Sequence, residues 1–266
     1  MAVGIGERLR NGTAAFGATL TIHEPFVAEV MAARPLDFLM VDTEHSPLSA
    51  VGLQTQLIAL RSATAAVLVR VPHLDPTAIM QALDLGADGV VVPHVETAAD
   101  ASAAVSAAFY PPLGDRGFGP RRAQRLPERA PYLSRANEDT LLVVMIESRS
   151  GVENLADILA VQGVGGVIIG VADLAASLGH LGDQRHPDVG AAVDEIVDGC
   201  LVADVPFGLY APTPEAARRW VDRGARLLTV GSDLLFLEQG MSRVLEAVAP
   251  VDRTPASRHL AAPRPT

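Results

Sequence analysis

The sequence has no lysine. All 21 of its basic side chains are arginine, and 31 acidic side chains give it a formal net charge of −10. Without a lysine amine, the chain cannot act as a Schiff-base aldolase, a pyridoxal-phosphate enzyme or a P-loop nucleotidase. The acidic balance also argues against a nucleic-acid partner, because negative charge repels a polyanion.

Cysteine and aromatic residues are scarce as well. Cys200 is the only cysteine, so the chain has no internal disulfide, and we expect a buried thiol in a reducing compartment. No apolar run reaches the roughly 20 residues of a membrane span, and the first residues lack a signal-peptide core. Since only 4% of the residues are aromatic, Ala, Val and Leu must fill the core. These features predict a cytoplasmic enzyme without a membrane partner.

Short apolar runs alternate with helical patterns along the chain. The runs are continuously apolar, which is typical of parallel strands covered on both faces. Eight strands, each followed by a helix, predict an α/β fold, a single-domain (β/α)8 TIM barrel over residues 1–249. A doubly wound open sheet is the alternative, but its glycine fingerprint is missing, so we expect no nucleotide cofactor. The predicted strands are Ala14–Thr21, Asp37–Asp42, Ala66–Val71, Gly89–Pro93, Leu141–Ile146, Gly166–Ile169, Pro206–Tyr210 and Leu227–Gly231.

Capping residues and prolines indicate where several helices start. The predicted helices are Leu48–Leu60 after Ser46-Pro47, a segment from Asp75-Pro76 to Gly86, Ala98–Ala108 after Thr97, Gly151–Ala160 after Ser150, a segment from Thr213-Pro214 to Gly224, and one from Ser232-Asp233 to about Ala249.

Two segments break this alternation. Tyr110–Asn137, which is rich in Pro, Gly and Arg, is predicted to be a long functional loop that starts near the mouth of the barrel. Pro250–Thr266 has no periodicity and is predicted to be a disordered tail.

Charged side chains follow the predicted strands, and in a barrel these positions share one mouth. Glu147 directly follows an apolar strand, and Asp173 lies four residues after the next strand. Two carboxylates on neighbouring strand ends indicate an oxygen-ligand site for a divalent cation. The alternative for Asp173 is a helix N-cap.

Arg70 closes the apolar run of the third strand. A guanidinium in this position needs an anionic partner, and a substrate carboxylate or enolate would serve. The alternative is a structural salt bridge to Asp42 or Glu44. Among the histidines, His45 is the candidate general base by position, with His23 and His94 as rivals.

Six motifs together resemble one family, the metal-dependent (class II) pyruvate aldolases. This family is typified by 4-hydroxy-2-oxoheptanedioate aldolase and is related to the citrate lyase β chain, and the likeness spans about residues 5–248. The motifs are Val-Asp42-Thr-Glu44-His45, Arg70-Val-Pro, Gln81-Ala-Leu-Asp84-Leu-Gly, Tyr110-Pro-Pro with Arg116-Gly-Phe-Gly119, Ile146-Glu147, and Gly170-Val-Ala-Asp173-Leu.

The resemblance implies reversible cleavage of a 4-hydroxy-2-oxo acid into pyruvate and an aldehyde. A bound divalent cation (Mg²⁺, Mn²⁺ or Co²⁺) would then stabilise the enolate that a lysine imine stabilises in other aldolases. The resemblance also implies a homo-oligomer, a hexamer or trimer, with a swapped C-terminal helix. It assigns metal ligation to Glu147 and Asp173, proton transfer to His45, enolate stabilisation to Arg70, substrate contact to Ala172 and Asp173, and support of the histidine to Asp84.

Several positions depart from the family pattern. Met145 stands where the family has a substrate-contacting glutamine, and a thioether cannot donate a hydrogen bond. Val171 replaces a proline, and Arg121-Arg122 replace small residues, which predicts positive charge near the mouth and an anionic aldehyde or acid. Asp84 is predicted at the C-terminal end of a helix, from which it reaches a histidine only across a subunit interface.

Two other functions remain open. A related carbon–carbon lyase or β-keto-acid decarboxylase of the oxaloacetate type would form the same enolate. Met145 and Arg121-Arg122, which depart from the family pattern, are consistent with this alternative. A non-catalytic binding barrel is less consistent with the presence of all four charged site residues, His45, Arg70, Glu147 and Asp173.

Overall fold

The computed structural model describes residues 4–124 and 129–248, and the predicted tail lies outside them. Eight parallel strands form a closed barrel in chain order, with the last strand pairing with the first. The predicted TIM barrel is therefore confirmed. Its strands are β1 (Ala15–Leu20), β2 (Phe38–Asp42), β3 (Ala66–Arg70), β4 (Gly89–Val92), β5 (Leu141–Ile146), β6 (Gly166–Ile169), β7 (Phe207–Tyr210) and β8 (Leu227–Ser232).

Helices surround the barrel, and within the described ranges none is long and apolar enough to cross a membrane. The first helix precedes β1, and its Ile5 and Leu9 belong to the apolar cluster of the barrel interior. The helices are α1 (Ile5–Arg10), α2 (Pro25–Ala32), α3 (Ala50–Ala59), α4 (Pro76–Asp84), α5 (Ala98–Ala108), α6 (Arg129–Asp139), α7 (Arg149–Glu153), α8 (Leu155–Leu159), α9 (Val171–Ser177), α10 (Pro187–Val202), α11 (Pro214–Asp222) and α12 (Asp233–Val248).

Alternation along β5 explains both the apolar run and the position of the acid that follows it. Val143 and Met145 belong to the interior cluster, whereas Val144 and Ile146 belong to the cluster between strands and helices. Both faces of the strand are buried, so the sequence shows no polar alternation. Glu147 is the next residue on the inward-facing side, and it therefore enters the mouth of the barrel.

Four predicted helix starts are confirmed, and two are wrong. The side chains of Asp75, Thr97, Thr213 and Ser232 each accept a hydrogen bond from a backbone amide of the first turn. Ser49 rather than Ser46 caps α3, and Ser148 rather than Ser150 caps α7, with each hydroxyl accepting from the amide three residues later. Closely spaced serines offer equivalent capping chemistry, so the pattern did not distinguish them.

The segment that was predicted to be a loop near the mouth lies elsewhere. It follows α5, and helices of a barrel run opposite to the strands, so it starts at the N-terminal end of the barrel. Arg122 Nη2 donates to Leu57 O, and Ala123 N donates to Asp84 O, at the C-terminal ends of α3 and α4. Helix α6 fills the second half of the segment. The prediction that Arg121-Arg122 add charge at the mouth is therefore wrong within one chain.

Asp84 lies at this same end of the barrel. It is the last residue of α4, and its Oδ1 accepts from Arg116 Nη2 at 2.5 Å. The Arg116 guanidinium also lies 4.7 Å from the centre of the Tyr110 ring. Asp84 and His45 therefore lie at opposite ends of one barrel, as the sequence predicted. A contact between them would require a second copy of the chain.

Candidate functional site

A buried ion pair occupies the mouth between β2 and β3. The strand register places Asp42 beside Arg70, and Arg70 Nε and Nη2 donate to the two Asp42 oxygens at 2.9 and 2.8 Å. Burial opposes ionisation of Asp42, but the hydrogen bonds and charge of Arg70 hold its pKa below the ordinary value. The structural salt bridge considered as an alternative for Arg70 is therefore present. Three of the five guanidinium N–H donors make no hydrogen bond to Asp42.

Glu44 connects this pair to two histidines. Its Oε2 lies 2.9 Å from Arg70 Nη1 and 3.6 Å from His45 Nε2, and its Oε1 lies 3.6 Å from His94 Nε2. Burial raises the pKa of Glu44, and the charge of Arg70 partly offsets this effect. The His45 side chain is 63% exposed, so its ring can reach a ligand in the mouth.

Glu147 carries an unsatisfied oxygen at the centre of the mouth. Its Oε1 accepts from His94 N at 2.7 Å, whereas Oε2 is buried and has no hydrogen-bond partner among the described residues. Burial raises the pKa of Glu147, and the nearby charges of Glu44 and Asp173 raise it further. A buried carboxylate oxygen without a partner is unfavourable, and a cation would satisfy it.

Asp173 and Ala172 lie in the first turn of α9, beside Glu147. Gly170 is the N-cap of this helix, and it makes no side-chain bond, so the N-cap alternative for Asp173 is wrong. The Asp173 charge contributes to the raised pKa of Glu147. Both residues that the sequence predicted as metal ligands lie after neighbouring strands, Glu147 after β5 and Asp173 in α9 after β6.

The donor set fits a divalent cation. One ligand atom each of Glu44, His94 and Glu147 lie within 4.8 Å of one another. Two carboxylates, one of them with an unpaired oxygen, and an imidazole suit a borderline divalent ion. Gly170 makes room for this arrangement, because a Cβ there would overlap Glu147 Oε2.

We expect Gly170→Ala to displace the Glu147 carboxylate and lower divalent-metal affinity by roughly 100-fold, as loss of a ligand's geometry does in metal sites. The φ of Gly170 is −85°, which alanine tolerates, so the effect is steric. Calorimetric titration measures it. Gly190→Ala is the control, because a Cβ there meets nothing within 4 Å. Equal metal affinity in the two variants would contradict the expectation.

Both ring nitrogens of His23 have partners. Its Nδ1 lies 3.2 Å from Pro47 O and its Nε2 lies 3.0 Å from Asp42 O, so both ring nitrogens face carbonyl oxygens. The ring instead links the two ends of the loop that carries Glu44 and His45. Met145 is only 5% exposed and packs in the barrel interior, so its predicted substrate contact stays a prediction.

Sequence reasoning identified the mouth residues but not all their roles. Glu44 and His94 were recognised as strand-end residues, yet neither was assigned to the metal site. Their position directly after strands was the available signal. Their mutual distances depend on loop conformation, including the left-handed backbone of His94 at φ 53°, which the pattern does not reveal.

Comparison with known proteins agrees with this geometry. The family model described as HpcH/HpaI aldolase/citrate lyase matches residues 19–239. A 5-keto-4-deoxy-D-glucarate aldolase of Klebsiella pneumoniae is 37% identical over 87% of this chain and 91% of that protein. An Escherichia coli protein of the same name is 38% identical over 82% and 86%.

Solved structures agree as well. An HpcH/HpaI aldolase/citrate lyase family protein from Burkholderia cenocepacia is 36% identical, with a TM-score of 0.87 over 92% of this chain and 98% of that one. The citrate synthase SbnG is 29% identical, with a TM-score of 0.83 over 92% and 96%. With the barrel, the acidic mouth and these relatives in agreement, the chain belongs to the HpcH/HpaI aldolase/citrate lyase family and is an aldolase-type lyase.

Proposed function

We propose that the protein is a metal-dependent aldolase that reversibly cleaves a 4-hydroxy-2-oxo acid into pyruvate and an aldehyde. The observation that carries the proposal is the buried, unpaired Glu147 carboxylate oxygen, with Asp173 and Glu44 beside it. Glu147 and Asp173 would hold the cation, as the family resemblance implies. When bound, a divalent cation acts as a Lewis acid that stabilises negative charge on the keto oxygen of a 2-oxo acid.

The chain's own residues supply the remaining functions. In cleavage, the C3–C4 bond breaks, its electron pair enters the enolate of pyruvate, and the 4-hydroxyl loses its proton. His45, exposed at the mouth, takes this proton, and the enolate then takes a proton from water at C3 to give pyruvate; condensation reverses both transfers. The N–H donors of Arg70 that Asp42 does not engage stabilise the enolate, and Asp42 and Glu44 hold the guanidinium in place. The Ala172 backbone and Asp173 orient the substrate carboxylate.

The curated relatives suggest the first substrate to test. Two relatives at 37% and 38% identity are named as 5-keto-4-deoxy-D-glucarate aldolases. We therefore infer that the substrate is a sugar-acid-derived 2-oxo acid with a carboxylate at each end. Arg70 supplies positive charge at the mouth, whereas Arg121-Arg122 lie at the opposite end of the same chain.

Pyruvate release from such acids should require Mg²⁺, Mn²⁺ or Co²⁺, disappear on chelation and return when metal is added back. Borohydride treatment with pyruvate should leave activity intact, because there is no lysine to form an imine. Activity that survives exhaustive metal removal would overturn the proposal.

A β-keto-acid decarboxylase or a related carbon–carbon lyase is the second candidate. Met145 favours it, because a thioether cannot donate the hydrogen bond that the family's glutamine provides. Oxaloacetate decarboxylation that is faster than aldol cleavage across the substrate panel would select this alternative.

We also propose a homo-oligomer. Helix α12 exposes an apolar face, and exposed apolar surface of this extent usually marks an interface. Light scattering of the purified protein tests this assembly, and a monomer would contradict it. The exposed residues are Leu234, Phe236, Leu237, Met241, Val244, Leu245 and Val248.

A further inference from the structure

We propose that His94 is an imidazole ligand of the divalent cation, through Nδ1, and that it shifts the preference of the site from Mg²⁺ towards Co²⁺ and Ni²⁺. This inference rests on the proposed metal site at Glu147. The family resemblance assigns ligation to two carboxylates only. His94 would make this site mixed in character, with both oxygen and nitrogen donors.

The position of the His94 ring supports ligation. Its Nδ1 lies 3.4 Å from Glu147 Oε1. Two donors on one ion lie roughly 3 to 3.5 Å apart when the bonds are about 2.1 Å and the angles are between tetrahedral and octahedral. The observed separation therefore suits two groups that share a cation, and it exceeds an ordinary hydrogen bond.

The other ring nitrogen has a partner that suits a metal-bound histidine. His94 Nε2 faces Glu44 Oε1 at 3.6 Å, and Glu44 is itself held by Arg70. Metal-ligating histidines usually direct their second nitrogen to a carboxylate or carbonyl, which fixes the orientation and tautomer of the ring. Glu44 would act in this way, as a carboxylate that orients the His94 ring.

The backbone of His94 is consistent with a functional position. Its φ of 53° is left-handed, a conformation that is uncommon for residues other than glycine and is found disproportionately at functional sites. The hydrogen bond from His94 N to Glu147 Oε1 holds this conformation and attaches the loop directly to the predicted ligand. The side chain is 57% exposed, so an ion can reach the ring from the mouth.

Metal preference gives a test that does not depend on turnover. His94→Asn is the variant, because asparagine tolerates the left-handed conformation but supplies no imidazole. Imidazole favours Ni²⁺ and Co²⁺, whereas Mg²⁺ prefers oxygen ligands. We expect calorimetry to show that Ni²⁺ affinity falls at least about 30-fold, while Mg²⁺ affinity changes less than about threefold.

His73→Asn is the matched control. His73 follows β3 at the same mouth, is similarly exposed and pairs with Asp75 rather than with the cluster. Its variant should keep wild-type affinity for both ions. Each titration is repeated with His180→Asn added, because His180, His186 and Asp188 form another group of potential ligands in the described part of the chain.

Pulsed EPR of the Mn²⁺-loaded protein gives a second readout. Coupling to an imidazole nitrogen should be present in wild type and in His73→Asn, and absent in His94→Asn. Retained Ni²⁺ affinity, retained nitrogen coupling, or an equal loss of Mg²⁺ affinity in His94→Asn would each overturn the inference. If the cation does not bind at Glu147 at all, Glu147→Gln will still bind metal. This outcome distinguishes failure of the proposed metal site from failure of the His94 inference.

Discussion

Glu147→Gln is expected to abolish turnover and, at the same time, to stabilise the metal-free protein. The amide oxygen can still accept from His94 N, which now lies 2.7 Å from Oε1. The amide nitrogen replaces the unpaired Oε2 and carries no charge to repel Glu44 and Asp173. The substitution keeps the side-chain volume but removes the buried negative charge. A bound cation would therefore lose an anionic ligand.

The two effects should be large and opposite in sign. Loss of the cation should lower kcat/KM by at least about 10³-fold, since Lewis-acid stabilisation is worth several kcal/mol. The free energy of unfolding of the metal-free protein should rise by about 1–3 kcal/mol, because an uncompensated buried carboxylate is replaced by a neutral group.

The stability difference should depend on pH. Burial raises the folded-state pKa of Glu147, and Glu44 and Asp173 add to this effect, so the folded state binds its proton more tightly than the unfolded state. The resulting stability is fully present below the unfolded pKa of about 4.3 and is lost as the pH rises through the folded pKa. The advantage of Glu147→Gln in metal-free buffer should therefore be small near pH 4 and grow towards neutral pH.

Urea unfolding with a chelator across this pH range measures the effect. Glu153→Gln, at an exposed position of α7, is the control and should change neither stability nor turnover. A Glu147→Gln protein that is less stable than wild type without metal would show that the carboxylate is satisfied by the chain alone.

The sequence was sufficient to predict the barrel and the residues that meet at its mouth. Continuous apolar runs such as Leu141–Ile146 indicated parallel strands, and Glu147 was recognised because it follows such a run. This inference needs only the alternation of side chains and the shared mouth of a parallel barrel. Helix N-caps such as Asp75 were recognised because a single side chain accepts hydrogen bonds from the backbone amides of the first turn.

The sequence patterns do not predict which distant residues pair with one another or where the loops run. Arg70 could pair with a substrate or with an acid of the neighbouring strand, and only the β2–β3 register shows that Asp42 lies beside it. Arg122 was predicted at the mouth from its place after β4, but α5 intervenes and carries the chain to the opposite end of the barrel. The role of His94 depends on its backbone conformation, which is held by a hydrogen bond to Glu147, 53 positions away in the sequence.

Asp42→Asn should produce the largest loss of stability among substitutions at the mouth. The Asp42 carboxylate forms two hydrogen bonds with Arg70 and also accepts from the backbone amides of Glu44 and His45. Neutralising one member of a buried ion pair leaves the other charge undercompensated, which typically costs about 3–5 kcal/mol. Glu44 remains as a partner of Arg70, so we expect a value near 3 kcal/mol.

Activity should fall with stability, because Asp42 holds both Arg70 and the loop of the predicted base. A loss of about 100-fold in kcat/KM is expected from misplacement of these groups. Asp194→Asn is the matched control: it also removes one acid from an arginine pair, with Arg223 at 2.7 Å, but at the surface. Exposed pairs contribute about 0–1 kcal/mol, so this variant should be nearly neutral.

Acid titration distinguishes the charge of Asp42 from its shape. Burial works against ionisation, but Arg70 lowers the folded-state pKa of Asp42 below the unfolded value. Its contribution to stability is therefore present above the unfolded pKa of about 3.9 and is lost as the pH falls through the folded pKa. The difference between wild type and Asp42→Asn should be constant from pH 6 to 8 and shrink below pH 4. A difference that persists unchanged into acid would mean that packing, rather than the ion pair with Arg70, makes Asp42 important.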